Sequence, residues 1–415
     1  MKQTNLLKIC STLVLAVFAF SACTTNTKTN TLQTKVKPNI SMIEAVNTGD
    51  EEAVNYYIKS GEDVNQRDGK PLILLAAEQG SLPVIKSLIN AGADVNKTNT
   101  ANGTTPLMIA SLQGNTEIVK ELIAAGADIN IKDNHGYTAI YLATKYPEVL
   151  QELIAAGSDI NAKNNEGFTA LMRAIIYGNS NTIDIAETLI AAGADVNAKE
   201  KHGLTPLMFA SLPGIYTISY ACDHAEDPAE CFRQMSQKYS KKEDSIEGTS
   251  IKDIERGVSP SYPMTYKGSE YIKILIDAGA DVNAKSNNNA TALLIASGRN
   301  NVDVVKTLIN AGADVNAKNI DGLTPLMNAS ASDNDNEVLK ALISAGANID
   351  ATDNDGKTAL MMASFEGHSK VVKELLAAGA DINLQDKYYK TALEYAGENY
   401  NTEIVKLLKK AGAKK

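Results

Sequence analysis

The 415-residue sequence predicts an all-α repeat solenoid. Three observations carry that expectation. The phrase Ala-Gly-Ala-Asp-(Val or Ile)-Asn begins at Ala91, Ala125, Ala192, Ala278, Ala311 and Ala378, with variants at Ala156, Ala345 and Ser60. A second phrase, Gly-x-Thr-(Pro or Ala)-Leu, starts at Gly103, Gly167, Gly203, Gly322 and Gly356, and Asn289 and Tyr389 replace the glycine in two further copies. The step from Asn289 to Gly322, and again from Gly356 to Tyr389, is 33 residues. A fixed period of this size marks a repeat whose helices bury their apolar faces only against their neighbours.

One unit shows why each element forms. Thr105 is placed to cap a helix, Pro106 suits a first helical turn, and Leu107, Ala110 and Leu122 fall on apolar faces. Ala110 has to be small. A second helix over 117–124 ends near Gly126, a residue free to take the left-handed conformation that closes helices. Asp128, Asn130, Asp133 and Asn134 then lead through turn-forming residues to Gly136.

In these phrases and this period the chain resembles the ankyrin repeat family over residues 41–413, apart from one insertion. The resemblance implies stacked helix pairs with projecting β-hairpin loops. Nine units begin at Gly69, Gly103, Gly136, Gly167, Gly203, Asn289, Gly322, Gly356 and Tyr389, and residues 41–65 supply the last part of a tenth as an amino-terminal cap. Lys406, Lys409, Lys410, Lys414 and Lys415 give the other end a polar cap. The family usually has His after the Thr-Pro-Leu phrase. Here Met108, Met172, Met208, Met327 and Met361 occupy that place, with Tyr141, Leu294 and Glu394 in other units. The departure removes a hydrogen-bonding side chain, and methionine is expected to fill apolar space instead, in preference to forming a metal-binding series.

The unit beginning at Gly203 is interrupted. Residues 203–214 read as its first helix and 268–279 as its second, so 215–267 are inserted between them. Within the insertion, Cys222-Asp223-His224 and Cys231 lack the two short-spaced ligand pairs of a zinc site, and no metal is expected. Cys222 and Cys231 are expected to form a disulfide if the chain is exported.

Export is the reading of the first 22 residues as a signal peptide. Lys2 and Lys8 precede an apolar run from Ile9 to Phe20, too short to span a bilayer, and small residues follow. Phe20-Ser21-Ala22-Cys23 resembles the lipobox of bacterial lipoproteins, which implies lipidation at Cys23. Leu is usual where Phe20 stands, so cleavage near Ser21 or Ala22 to a soluble periplasmic or secreted product stays open. Residues 23–40 read as a polar tether, and Thr24, where an Asp would favour the inner membrane, points to the outer membrane.

Net charge is −9, which argues against nucleic acid, and 44% apolar content supports a folded chain. No catalytic serine elbow, phosphate-binding glycine loop or paired metal-binding His motif occurs. No cofactor is expected. The family uses loop tips and first helices along a concave side to grip proteins, so a monomeric, non-enzymatic scaffold with a protein partner is expected. Candidate contacts at tips are His135, Tyr137, Phe168, His202, Ile320, Leu323 and Tyr388; on first helices they are Arg173, Phe209, Asn328, Met362 and Tyr395. Two alternatives remain: an exported enzyme with its site in 215–267, and a structural envelope spacer.

Overall fold

The computed structural model describes residues 37–65, 70–176, 182–212, 268–299, 301–332 and 336–414. Residues 1–22, expected to be a signal peptide, Cys23, Cys222, Cys231 and the insertion 215–267 lie outside the described residues. By contacts the chain divides into Met1–Ser41 and Met42–Lys415. In the first of these, residues 37–41 carry neither helix nor strand. The second consists of twenty described helices in ten consecutive pairs, with no strand among the described residues.

The pairs run α1 (Met42–Thr48) with α2 (Glu51–Lys59), α3 (Leu72–Gln79) with α4 (Leu82–Asn90), α5 (Pro106–Gln113) with α6 (Thr116–Ala124), and α7 (Ala139–Leu142) with α8 (Pro147–Ala155). They continue with α9 (Ala170–Ile176) and α10 (Thr182–Ala191), α11 (Pro206–Ala210) and α12 (Gly268–Asp277), and α13 (Ala292–Ser297) and α14 (Val302–Asn310). The last three are α15 (Pro325–Ser330) with α16 (Glu337–Ser344), α17 (Ala359–Glu366) with α18 (Ser369–Ala377), and α19 (Ala392–Glu398) with α20 (Thr402–Lys410). The amino-terminal unit is thus a complete helix pair rather than the last part of one.

Each first helix packs on its own second helix and on the next first helix, while second helices pack on one another. Helices of four to ten residues are too short to persist alone, so this packing supplies their stability. Leu107, Ala110, Val119 and Leu122 are buried, as are their counterparts in later units apart from the half-buried Val405. Full burial of each such leucine contributes about 2 kcal/mol. Eight of the ten described first helices start alike. Threonines 105, 138, 169, 205, 291, 324, 358 and 391 each accept the amide three residues on, at 3.2 to 3.5 Å.

Methionine takes over part of the absent histidine's work. Met108, Met172, Met208, Met327 and Met361 are all buried. In two units the thioether also accepts the cap amide, Thr105 N to Met108 Sδ at 3.5 Å and Thr358 N to Met361 Sδ at 3.4 Å. Where Glu394 holds the position, its carboxylate accepts Thr391 N at 2.7 Å, a full capping box.

Asparagine links the units. Asn65 Oδ1 accepts Asp94 N at 2.8 Å while its Nδ2 donates to Gly92 O at 2.9 Å. Asn96, Asn161, Asn197, Asn283 and Asn316 repeat this two-bond grip on the following unit. Asn197 does so across the insertion, reaching Gly279 O and Asp281 N at 3.1 and 2.7 Å. Helices α11 and α12 pair normally, α12 packs on α10 and α14, and α11 packs on α13, so the stack passes through the interrupted unit in register.

The tips differ from the expected hairpins. Asp133 N donates to Tyr137 O and Gly136 N to Asp133 O, which closes a turn too short for a ladder of its own. The outward amide bonds the neighbouring tip instead, as Asn134 N to Asn102 O, Asn165 N to His135 O and Lys387 N to Asp355 O show. Backbone pairing therefore runs between units. Lysines at the base of the tips reinforce it: Lys132, Lys163 and Lys199 each donate Nζ to a carbonyl of the next unit, at 2.8 to 2.9 Å.

Candidate protein-binding face

Side chains from tips and first helices meet directly, and this defines a common face. A side-chain oxygen organises the tips: Asp133 Oδ1 accepts His135 N at 2.9 Å and Tyr137 N at 2.8 Å, Asn164 Oδ1 serves Glu166 N and Phe168 N, and the Ser286 hydroxyl takes the same place with Ala290 N. These bonds aim the aromatic residues at the helices. The Tyr137 ring stacks on Tyr141 of α7, with centroids 4.8 Å apart and planes 11° from parallel. His135 lies 5.9 Å from Tyr137, and the Phe168 ring lies 5.4 Å from Phe209 of α11.

Arg173 of α9 continues the row by placing its guanidinium 5.2 Å from the Tyr141 ring centre, a cation–π distance. Its Nη1 also donates to Leu142 O at 3.3 Å and to Thr144 Oγ1. Arg173 is thus a strut between two units. Asn328 does the same, donating Nδ2 to Leu294 O at 3.1 Å.

The twelve candidates fall into three environments. Ile320, Tyr388 and His202 are exposed at their tips. His135, Tyr137, Phe168, Arg173, Leu323, Asn328 and Met362 are half-buried, each showing an edge. Phe209 and Tyr395 are buried, Phe209 packed on Phe168 and Tyr395 on Phe365 of the preceding first helix, and they hold units together rather than offering area to a partner. Tyr395 Oη donates to the buried carboxylate of Asp386 at 2.5 Å. Phe365 packs edge-on against the same ring at 6.0 Å, and Lys357 and Lys390 approach it at 5.9 and 5.6 Å.

Phe365 and Leu112 were not among the candidates, although both are exposed apolar residues on first helices. The signal was available: each lies three residues beyond a residue on the same helix face, Met362 and Ile109, and that spacing keeps side chains together. Tyr141 escaped notice for a different reason. It occupies the family's histidine position, which reads as core, and its ring reaches the face only because Tyr137 stacks on it.

Electrostatics in the tips follow burial and hydrogen bonding. Burial raises the Asp133 carboxyl above the usual range, outweighing the amides of Tyr137 and His135, which lower it. At Asp386 burial again acts upward, but the Tyr395 hydroxyl and the amides of Lys390 and Tyr388 win, and its carboxyl is held below the ordinary value. Burial and the adjacent Asp386 charge push the Tyr395 hydroxyl well up. Among the described residues no group of three or more His, Cys, Asp and Glu side chains converges as a metal site, and no helix is long and apolar enough to cross a membrane.

A stack of short helix pairs, tied by asparagine and backbone bonds and presenting one face of tips and first helices, defines an α-solenoid recognition scaffold. The ankyrin repeat model, in sets of three copies, matches residues 42–133, 112–200, 137–228, 218–319, 264–353 and 326–415, and the chain belongs to the ankyrin repeat family. Ankyrin repeats generally mediate protein–protein interaction and are typically non-enzymatic. No curated protein sequence gives a significant match.

Proposed function

We propose that this chain is an exported bacterial scaffold that binds a protein partner through the face shared by its tips and first helices. The observation that carries the reading is the row from His135 through Tyr137, Tyr141 and Arg173, with Phe168 on Phe209 beside it. Rings held by stacking and hydrogen bonds lose little freedom on binding, which is what an interface anchor requires. Export rests on Lys2, Lys8, the apolar run to Phe20 and the lipobox-like Phe20-Ser21-Ala22-Cys23. In this reading lipid at Cys23 ties the protein to the outer membrane or its periplasmic side, the array is monomeric, and Cys222 and Cys231 are bridged.

The test is stoichiometric capture of one envelope protein by the purified array, compared with a variant carrying Tyr137→Ala, Phe168→Ala and Ile320→Asp. Affinity should fall at least tenfold while the helical signal is kept, since single anchors contribute about 1 to 2 kcal/mol. Unchanged capture by that variant would remove this face from the interaction. Intact mass of the exported protein reads the lipid and the cysteine pair together.

A further inference from the structure

The unit that carries Tyr137 and Tyr141 is two residues short. Thr105 to Ala125 spans twenty positions, as do Thr291 to Ala311 and Thr358 to Ala378, but Thr138 to Ala156 spans eighteen. The loss falls at the end of the first helix. Aligned on the threonine caps, Ala110-Ser111-Leu112-Gln113-Gly114-Asn115 of the preceding unit corresponds to Ala143-Thr144-Lys145-Tyr146 here. Accordingly α5 has eight residues and closes on Gly114 in the left-handed conformation, whereas α7 stops after four with Ala143 in the right-handed one.

A helix end leaves its last carbonyls without amides from the next turn, and in a packed stack they need other donors. In α5 the regular ending supplies them: Gly114 N and Asn115 N turn back to Ser111 O and Ala110 O, and Ser111 Oγ donates to Leu107 O at 2.7 Å. In α7 side chains do this. Thr144 Oγ1 donates to Tyr141 O at 3.4 Å, and Arg173 Nη1, from α9 of the next unit, donates to Leu142 O at 3.3 Å. Arg173 also donates to the Thr144 hydroxyl, which is buried, and its guanidinium lies 5.2 Å from the centre of the Tyr141 ring on which Tyr137 stacks. One side chain thus meets a carbonyl, a hydroxyl and a ring at the end of the short helix. Beside α3, which has eight residues and closes on a left-handed Gly80, the residue in Arg173's place is Ile109, with no donor to offer. A regular ending asks for none.

We infer that Arg173 is a positioning residue of the recognition face: it stands in for the missing end of the neighbouring unit's first helix, and so fixes Tyr141 and, through that ring, Tyr137 and His135. The row is therefore set by two units acting together, one of which lacks the means to close its own helix. What this contributes to partner capture rests on the function proposed above, whereas the way the row is held does not.

The test crosses two changes in the full chain. One is Arg173→Met, the residue that stands in the same place as Met362. The other replaces residues 143–146 with the sequence of residues 110–115, which restores the regular ending. Ring-proton NMR signals of Tyr137, identified by their loss in Tyr137→Phe, report the stack, and denaturant midpoints report stability. In the native sequence Arg173→Met should move the Tyr137 signals toward those of an unstacked tyrosine and lower the midpoint. In the restored chain the same substitution should leave both close to those of its own parent. Tyr137 signals that stay in place in the native sequence would overturn the inference, and so would equal changes in the two backgrounds, which would give Arg173 a task unrelated to the short helix. A restored chain that does not fold would also overturn it, since α7 would then not be a regular helix lacking its end. No partner enters these measurements, so the capture experiment decides the binding function separately.

Discussion

Tyr395 shows how one side chain serves two purposes. Its ring fills the space between α17 and α19, and its hydroxyl satisfies a carboxylate that already accepts the amides of Tyr388 and Lys390 at 2.9 and 2.8 Å. Tyr395→Phe keeps the ring and removes the hydroxyl, so the array should lose about 1 to 2 kcal/mol near neutral pH. The pH dependence has a definite sign. Asp386 is held below its ordinary value of about 3.9, so its contribution is complete above that pH and disappears as pH falls through the lower folded value. Tyr395 is held above its ordinary value of about 10, so its contribution is complete below that pH and disappears as pH rises through the folded value. The difference between the wild type and Tyr395→Phe should therefore be widest from about pH 4 to pH 10 and shrink on both sides. Denaturant midpoints across pH check this, and a difference that stays constant down to pH 2 would assign the loss to packing alone.

At the level of the helix, the start is fixed by a threonine cap and by the tip glycine that precedes it. Thr358→Ala removes the hydroxyl that accepts Met361 N at 3.3 Å and should cost about 1 kcal/mol, measured by chemical denaturation. Gly167→Ala should cost more, because alanine must adopt φ of +88° and place a Cβ 2.8 Å from Glu200 Cα. Equal costs would mean that the next tip yields easily. The same distinction explains what could be read from sequence. Units announced by Thr-Pro-Leu or Thr-Ala-Leu were legible because cap, first-turn proline and core leucine are each a local requirement. Helix α1 was not: it has no such phrase, and Met42, Ala45 and Val46 are buried because α2 and α3 lie against it. The roles of Arg173 and Asn328 were equally hidden, since a strut is defined by the carbonyl it reaches in another unit. Burial of Phe209 and Tyr395 likewise depends on what the neighbouring element covers, which no single repeat encodes.

For the array as a whole, stability is a sum of units and of the junctions between them, and it should fall stepwise as units are removed from an end. The interrupted unit makes a sharper case. Joining residues 214 and 268 through a short turn removes the insertion, and the smaller loop should stabilise the array by about 2 kcal/mol through reduced closure entropy. Thermal or chemical unfolding measures this, and a large destabilisation would show that residues 215–267 contribute contacts to the stack. Partner capture should survive the deletion if recognition belongs to the tips and first helices, whereas a catalytic role for the insertion would end with it.

Asn197 holds Gly279 and Asp281 as firmly as Asn161 holds Gly193 and Asp195, although the chain has travelled more than eighty positions in between. Because both partners of that grip belong to the array, a segment of other length or content exchanged for residues 215–267 is expected to leave it intact, which would make the seam a place to swap one payload for another.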